Sequence, residues 1–336
     1  MTQPLALVLV TVMGFVAHRA SLCTVRAVME VMTSGTAYML VSFAKAVLWT
    51  AMIAGTLIMV FSLTPAPMLG RLPFWAALAG GFVFGVGAAV NGGCSFSTLQ
   101  RLADGELGMG LSLVGMILGF LTMSQWLAGM PGSALQTIAP VWHGQNAWAT
   151  GLLSLLWLCA LLELIRLWRT SDEDAGLLGR LLTDKYRLSS SAAVLGIGGG
   201  TLYAVQGNWT YTNFLRGEAA SWLGSGPAPA TGQALLLAAL LAGMLLSTWH
   251  RGALRLRPPT LSELPSRMTG GFLMGIGGTL VPGGNDTLLL AAIPTFSLQA
   301  IAVFGALLVG VAATLAIMRG QKGDLTPVAC SGDRCH

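Results

Sequence analysis

Val90 to Arg101 reads VNGGCSFSTLQR and interrupts an otherwise apolar segment, Pro73–Leu102. Two adjacent glycines, an amide, a thiol and three hydroxyls in one place break a helix, and in lipid the freed backbone groups must be satisfied by protein or by a polar cavity. Working outward, three further apolar segments carry a break of the same kind. Pro4–Val31 contains HRASLCTVR (18–26), Ser191–Arg216 contains VQGNWTYTNFLR (205–216) and Gly270–Ile293 contains VPGGNDTLLL (281–290). Each has an apolar, often glycine-rich half, a polar break and a short second half. An arginine follows three of the breaks, at Arg26, Arg101 and Arg216.

The surrounding composition fixes the solvent. Of 336 residues, 54% are hydrophobic and 9% charged, where soluble domains carry roughly 25% charged residues. Mean hydropathy is +0.72, which excludes an ordinary soluble enzyme. Five uninterrupted apolar stretches, Ala37–Phe61, Leu107–Ala128, Ala147–Trp168, Thr231–Trp249 and Thr295–Met318, are long enough to cross a hydrocarbon core of about 30 Å. With Cys23, Cys94, Trp209 and Asn285 as markers, breaks within a half lie 71 and 76 positions apart, and the halves are offset by 186 and 191. This is an internal repeat of broken element, span, broken element, span, with Ala147–Trp168 left over between the halves. The reading is an all-α polytopic membrane protein of about nine crossings, four of them broken helices. Its parts are a first half over 1–129, a linking span and polar linker over 130–190, a second half over 191–318 and a polar tail over 319–336.

Net charge is +5, but the basic residues gather in 166–187, 250–267 and the tail rather than over one face, so nucleic acid is not an expected partner. If every broken element crosses the membrane, all three basic stretches face the cytoplasm, the Lys- and Arg-free 129–146 faces outward, and the N-terminus is outside. The unpaired span then inverts the second half, an arrangement many secondary transporters use. The first twenty residues have no basic start, so a retained first element is expected rather than a cleaved signal.

The breaks supply the candidate site. Asn91 to Thr98 offers close backbone approach at Gly92 and Gly93, a thiol at Cys94 and hydroxyls at Ser95, Ser97 and Thr98; the competing reading is tight packing of glycines around a small buried thiol. Cys23 occupies the matching place in the first element, and Arg26 and Glu30, at i and i+4, are expected to form a structural ion pair. Asn208 and Trp209 furnish donors in the third break. In the fourth, Asn285, Asp286 and Thr287 do so, Asp286 being either a functional buried acid or a helix cap. Second halves that begin at the breaks aim positive helix ends inward, which suits an anion. Cys159 reads as packing within a span. Cys330, Cys335 and His336 hint at a metal but lack a full ligand set, and the cysteines are expected to be reduced. No nucleotide motif and no catalytic triad is present; neither a cofactor nor an enzyme activity is expected.

The runs Leu22-Cys23-Thr24, Gly92-Gly93-Cys94-Ser95-Phe96 and Phe272 to Gly278 followed by Gly283-Gly284-Asn285 resemble the YeeE/YedE family of bacterial inner-membrane proteins, which includes a thiosulfate uptake permease. The resemblance extends over essentially the whole chain. It implies passage of a small sulfur-containing anion along cysteines at the breaks, held by S–H groups without a covalent intermediate, with a cytoplasmic sulfur-carrier protein among the partners besides the bilayer. Cys23 and Cys94 match the first two cysteines, and Asn285 stands where thiosulfate-type members carry a third. A membrane thiol enzyme using Cys23 and Cys94, and a membrane subunit that transports nothing, remain the alternatives.

Overall fold

The computed structural model describes residues 3–63, 68–70, 73–129, 136–138, 141–143, 147–169, 183, 185–281, 283–322, 328, 330–331 and 333–335. Helices dominate it: α1 (Gln3–Ala20), α2 (Thr24–Ser34), α3 (Tyr38–Phe61), α4 (Phe74–Asn91), α5 (Ser95–Ala103), α6 (Gly108–Ala128), α7 (Ala147–Arg169), α8 (Leu188–Gln206), α9 (Tyr211–Trp222), α10 (Thr231–His250), α11 (Leu264–Leu280), α12 (Asn285–Thr287) and α13 (Leu298–Lys322). A π turn over Leu288–Ala292 and a 3-10 turn over Ile293–Thr295 continue α12. Two short antiparallel strand pairs complete it, β1 (Met68–Gly70) with β2 (Gln136–Ile138) and β3 (Cys330–Ser331) with β4 (Arg334–Cys335).

All four expected breaks are present, and one backbone device makes them. Each contains a residue with positive φ: Ser21 at 50°, Gly92 at 73°, Gly207 at 72° and Gly283 at 116°. Such a residue turns the chain out of the right-handed helix, and glycine does so without a Cβ penalty. Gly92 thereby ends α4, its N–H returning to Ala88 and Ala89. Four residues past each new start the same closure recurs, Ala27 to Cys23, Thr98 to Cys94, Phe214 to Thr210 and Leu288 to Gly284.

Among the described residues eight helical segments are long and apolar enough to cross a membrane, including Gln3–Ser34, Phe74–Ala103 and Leu188–Trp222 taken across their breaks. The ninth expected segment is the fourth broken element, whose first helix, α11, has 17 residues. Trp75, Trp148 and Trp222 lie exposed at one set of helix ends and Trp168 and Trp249 at the other, the two belts that amphipathic rings form at membrane interfaces.

The glycines find their use between helices, where no side chain fits. In the contact of α1 with α10, a Cβ on Gly14 would strike the carbonyl of Leu240 and one on Gly243 that of Thr11; the equivalent contact of α8 with α3 sets Gly196 on Ala46 and Gly200 on Thr50. The pairing of α4 with α13, through Gly85 on Leu307 and Gly310 on Phe82, repeats as α11 with α6, through Gly275 on Met116 and Gly119 on Phe272. Backbones this close gain van der Waals contact over a long seam, the main attraction between helices in lipid. α4 and α11 meet each other antiparallel: Gly80 faces Gly277 and Leu280, whereas Gly87 faces Gly270 and Met274. Equivalent elements running oppositely are the signature of inverted halves. α7 has no counterpart; it packs on α3, turns Leu158, Leu161 and Leu162 outward, and is fastened by Lys45 to Glu163 at 2.6 Å.

The basic stretches gather at one face. Arg19 at the end of α1 donates to the carbonyl of Thr183 and to the His250 ring, the backbone of Arg255 and Arg257 pairs with that of Asp104 and Gly105, and Asp333 of the tail pairs with Arg187. At the opposite face the loop after α3 and the loop after α6 join through β1 and β2. The tail corrects the expectation of reduced cysteines. Cys330 and Cys335 form a disulfide rather than free thiols, and the described tail residues are docked, Asp333 capping the start of α8 through Ser189 and Val328 bonding to Ser34. His336 lies outside the described residues. Cys159 is exposed on α7, not packed inside.

Candidate functional site

The four breaks meet. Thr24, Ser95, Tyr211 and Asn285 begin the second halves, and hydrogen bonds join Thr24, Ser95 and Asn285 across repeat boundaries. Ser95 donates to Asn285 Oδ1 at 2.5 Å, and Asn285 Nδ2 donates to Thr24 Oγ1 at 3.1 Å. Thr210 and Thr287 hydroxyls bond at 2.5 Å, while Thr212 Oγ1 donates to Asp286 Oδ1 at 2.5 Å and accepts from the N–H of Gly284 at 2.8 Å. The Phe96 and Tyr211 rings lie 6.4 Å apart, closing the ring of elements between α5 and α9. Nearly all of these residues are buried, so these hydroxyls, amide and carboxylate satisfy one another at the centre of an apolar bundle.

The cysteines are the N-caps of α2 and α5, and neither caps its helix by a side-chain hydrogen bond. Both are fully enclosed. The Cys23 thiol donates to Ser97 Oγ at 3.3 Å and lies within hydrogen-bonding reach of Cys94. Around the two sulfurs stand backbone N–H groups of Arg26 and Cys94 for Cys23, and of Ser97 and Thr24 for Cys94. Two soft sulfurs at two positive helix ends form a place suited to a polarizable anion. Asn91 braces the turn, donating to Gly93 O and Thr98 Oγ1 and accepting from Ser112 at 2.5 Å.

Two cavities approach this junction from different directions. A polar one of about 170 Å³ is bounded by Cys23, Ser97, Gly92, Arg26, Arg101, His18 and Asp104; that is over ten times the ~10–15 Å³ that admits one water. The other, about 80 Å³, is apolar and aromatic, with Phe96, Trp209, Tyr211, Thr210, Asn285 and Asp286 on its wall. Cys94, Ser95 and Thr24 stand between the two sets of walls, buried and touching neither.

Electrostatics favour an anion on the polar side. Arg101 binds Glu106 at 2.5 Å and donates to Gly92 O, and Arg267 donates to Asn91 O, so two guanidinium groups cover the negative end of α4. Lys185 is held below its ordinary range by burial, then by the repulsion of Arg26 and Arg251, which locates three cations near one another at this face. Burial pushes Asp104 up, but the His18 bond at 3.1 Å, with Thr248 and Arg251, outweighs it and leaves the carboxyl below the usual range.

The structure collects Cys23, Cys94, Ser95, Ser97, Asn285, Asp286 and Thr287 into this junction, with Gly92, Gly93 and Trp209 at its edges. Asn208 is set back, its carbonyl accepting from Asn213. The expected Arg26–Glu30 pair is replaced: Glu30 accepts from Thr36 Oγ1 and from the N–H groups of Tyr38 and Met39, which tie α2 to the start of α3. The repeat markers shift as well. The N-caps equivalent to Cys23 and Cys94 are Thr210 and Gly284, so Asn285 matches Ser95, and those two residues bond to each other. Thr212 and Tyr211, absent from the expected set, belong to the site; their signal in the sequence is the hydroxyl-rich Thr-Tyr-Thr just past the third break.

No curated protein matches the chain. Residues 19–313 match the family model described as sulphur transport.

Proposed function

Since the chain belongs to the sulphur transport family of YeeE/YedE proteins, we propose that it is an inner-membrane permease for a small sulfur-containing anion such as thiosulfate. The single observation that supports this reading is the pair of cavities on either side of the layer formed by Cys94, Ser95 and Thr24, with Cys23 on the wall of the polar one and Asn285 on the wall of the other. The basic face, with the polar cavity, is turned to the cytoplasm by the positive-inside rule, and the proposed route reaches the junction from the other side through the apolar cavity. An anion enters past Trp209 and Asn285, exchanges water for the hydroxyls and amide of the junction, passes the two thiols, and leaves toward Arg26 and Arg101. Thiols, hydroxyls and N–H groups offer many weak contacts, which bind firmly enough to admit the anion and loosely enough to release it. No covalent bond to sulfur is needed.

Reconstituted protein given labelled thiosulfate, sulfite and sulfate side by side tests this, with Cys94→Ala as the control. The expected result is counterflow of thiosulfate in the native protein alone. Equal counterflow in the variant overturns the route.

One observation favours a second reading. Cys23 and Cys94 are near enough to act as a thiol pair, as a membrane sulfurtransferase or disulfide reductase would require. A persulfide or mixed disulfide trapped on Cys94 during turnover would establish that chemistry; intact thiols alongside counterflow would dismiss it.

A further inference from the structure

Asp286 has no evident task in a path for anions, and this inference rests on the permease reading above. It lies on the wall of the apolar cavity, one residue past Asn285, and is buried at 6% exposure. None of the described ion pairs includes it. Its N-terminal position on α12 suggests a cap, but the N-cap is Gly284, and the carboxylate reaches across to α9: Thr212 Oγ1 at 2.5 Å and Thr212 N at 3.3 Å. The Thr212 hydroxyl in turn accepts from Gly284 N–H and lies 3.2 Å from Thr287 Oγ1, which bonds Thr210. The charge state of one carboxyl therefore bears on the seam between α9 and α12, two of the four elements at the junction.

The groups that face Asp286 are few. From α9 come Thr212 and Tyr211, the latter also beside Ser95 and Cys94; across the cavity on α8 stands Tyr203, whose buried hydroxyl has no hydrogen-bond partner; α3 and α10 present Phe43 and Leu240. No cation stands among these neighbours. An ionised carboxylate there repels an incoming anion, whereas the protonated form removes that charge and supplies an O–H donor. Anion and proton then favour each other's binding by reciprocal linkage.

We propose that Asp286 is the proton-binding group of this permease, taking up one proton from the apolar-cavity side as the anion enters and releasing it as the anion leaves toward the polar cavity. Ionised, it locks α9 to α12 through Thr212; protonated, it loosens that bond and admits the anion. Buried acids facing a cavity at membrane depth serve as proton relays in other transporters.

Proteoliposomes holding a pH dye, with thiosulfate added outside, test it. The lumen acidifies as thiosulfate enters the native protein, and uptake falls about tenfold per pH unit once the carboxyl is mostly ionised. Asp286→Asn loses both the acidification and the pH dependence. If that variant carries nothing, Asp286→Glu and Thr212→Val decide: the proposal expects each to shift the midpoint of the pH profile, and an unmoved midpoint overturns it. Normal counterflow by native protein without acidification, and indifferent to pH, also overturns the proton role while leaving the permease intact. Absence of counterflow for every sulfur anion would instead be the failure of the permease reading.

Discussion

The first-half breaks at Cys23 and Cys94 and the second-half breaks at Thr210 and Gly284 share a backbone and differ in chemistry. Both pairs end a long helix with a positive-φ residue and restart a short one at the centre. The first pair carries two thiols, opens on a cavity bordered by Arg26 and Arg101, and leaves its helix starts without side-chain caps. The second pair carries hydroxyls, an amide and an acid, opens on an aromatic cavity, and spends its hydroxyls on internal bonds, Thr210 accepting from Asn213 N. Duplication thus supplies a symmetric scaffold, and divergence at a handful of positions gives its two sides different tasks. In the proposed route, binding of the anion falls to the first pair and control of its entry to the second.

The largest expected effect breaks that symmetry openly. Cys94→Ala removes the sulfur at the buried junction and takes thiosulfate uptake to background while the protein still folds, because the lost atom leaves only a small cavity. Thr210→Ala, at the structural counterpart of Cys23, lowers uptake only a few-fold, since Thr287 retains Thr212 as a partner. Initial rates of labelled thiosulfate entry measure both. Comparable losses would show that the halves share the binding work.

The scaffold should respond in the opposite way, alike on both sides. Gly85→Leu forces a side chain into the backbone of α13, and Gly275→Leu does the same at the backbone of α6. Overpacking of this kind costs about 1–3 kcal/mol or more, and thermal unfolding in detergent should drop by similar amounts for the two. A large disparity would mean that one seam alone carries the stability.

How far the sequence revealed this difference depends on what each feature leaves in composition. The four breaks were legible because glycines and polar residues placed inside an apolar run mark a helix that stops and restarts within the membrane, and the two offsets showed the repeat. The antiparallel meeting of α4 and α11 followed from the unpaired span. Pairings between residues far apart in the chain left no local trace: Ser95 with Asn285, Thr212 with Asp286, His18 with Asp104 and Lys45 with Glu163. Glu30 misled because i, i+4 spacing with Arg26 suits a pair, while the N–H groups that claim it belong to the next helix. Trp209 and Asn285 each lie one residue from the N-caps Thr210 and Gly284, in opposite directions, since neither a capping hydroxyl nor a glycine stands out beside an indole and an amide.

Asn285→Cys sharpens the comparison by making the second half more like the first. Asn285 bridges α5 and α2 by accepting from Ser95 and donating to Thr24, and one thiol cannot do both, so the variant forfeits roughly 1 kcal/mol of stability. In exchange it lines the entrance with a third polarizable sulfur. The ratio of thiosulfate to sulfate uptake should rise a few-fold, and an unchanged ratio would remove Asn285 from the entry path.

The smallest effect concerns the polar side alone. Asp104 is held below the ordinary carboxylate range by His18, Thr248 and Arg251 against the opposing influence of burial. A carboxyl depressed in the folded state adds stability that is present in full above its unfolded value, about 3.9, and is lost as pH falls through the lower folded value. The melting temperature of native protein should therefore exceed that of Asp104→Asn at pH 5, and the margin should close below pH 4. Because the side chain is 35% exposed, solvent screens the pair and the margin is small. Its persistence at pH 3 would mean that Asp104 acts through packing, and that its charge beside the polar cavity does not help to hold the fold together.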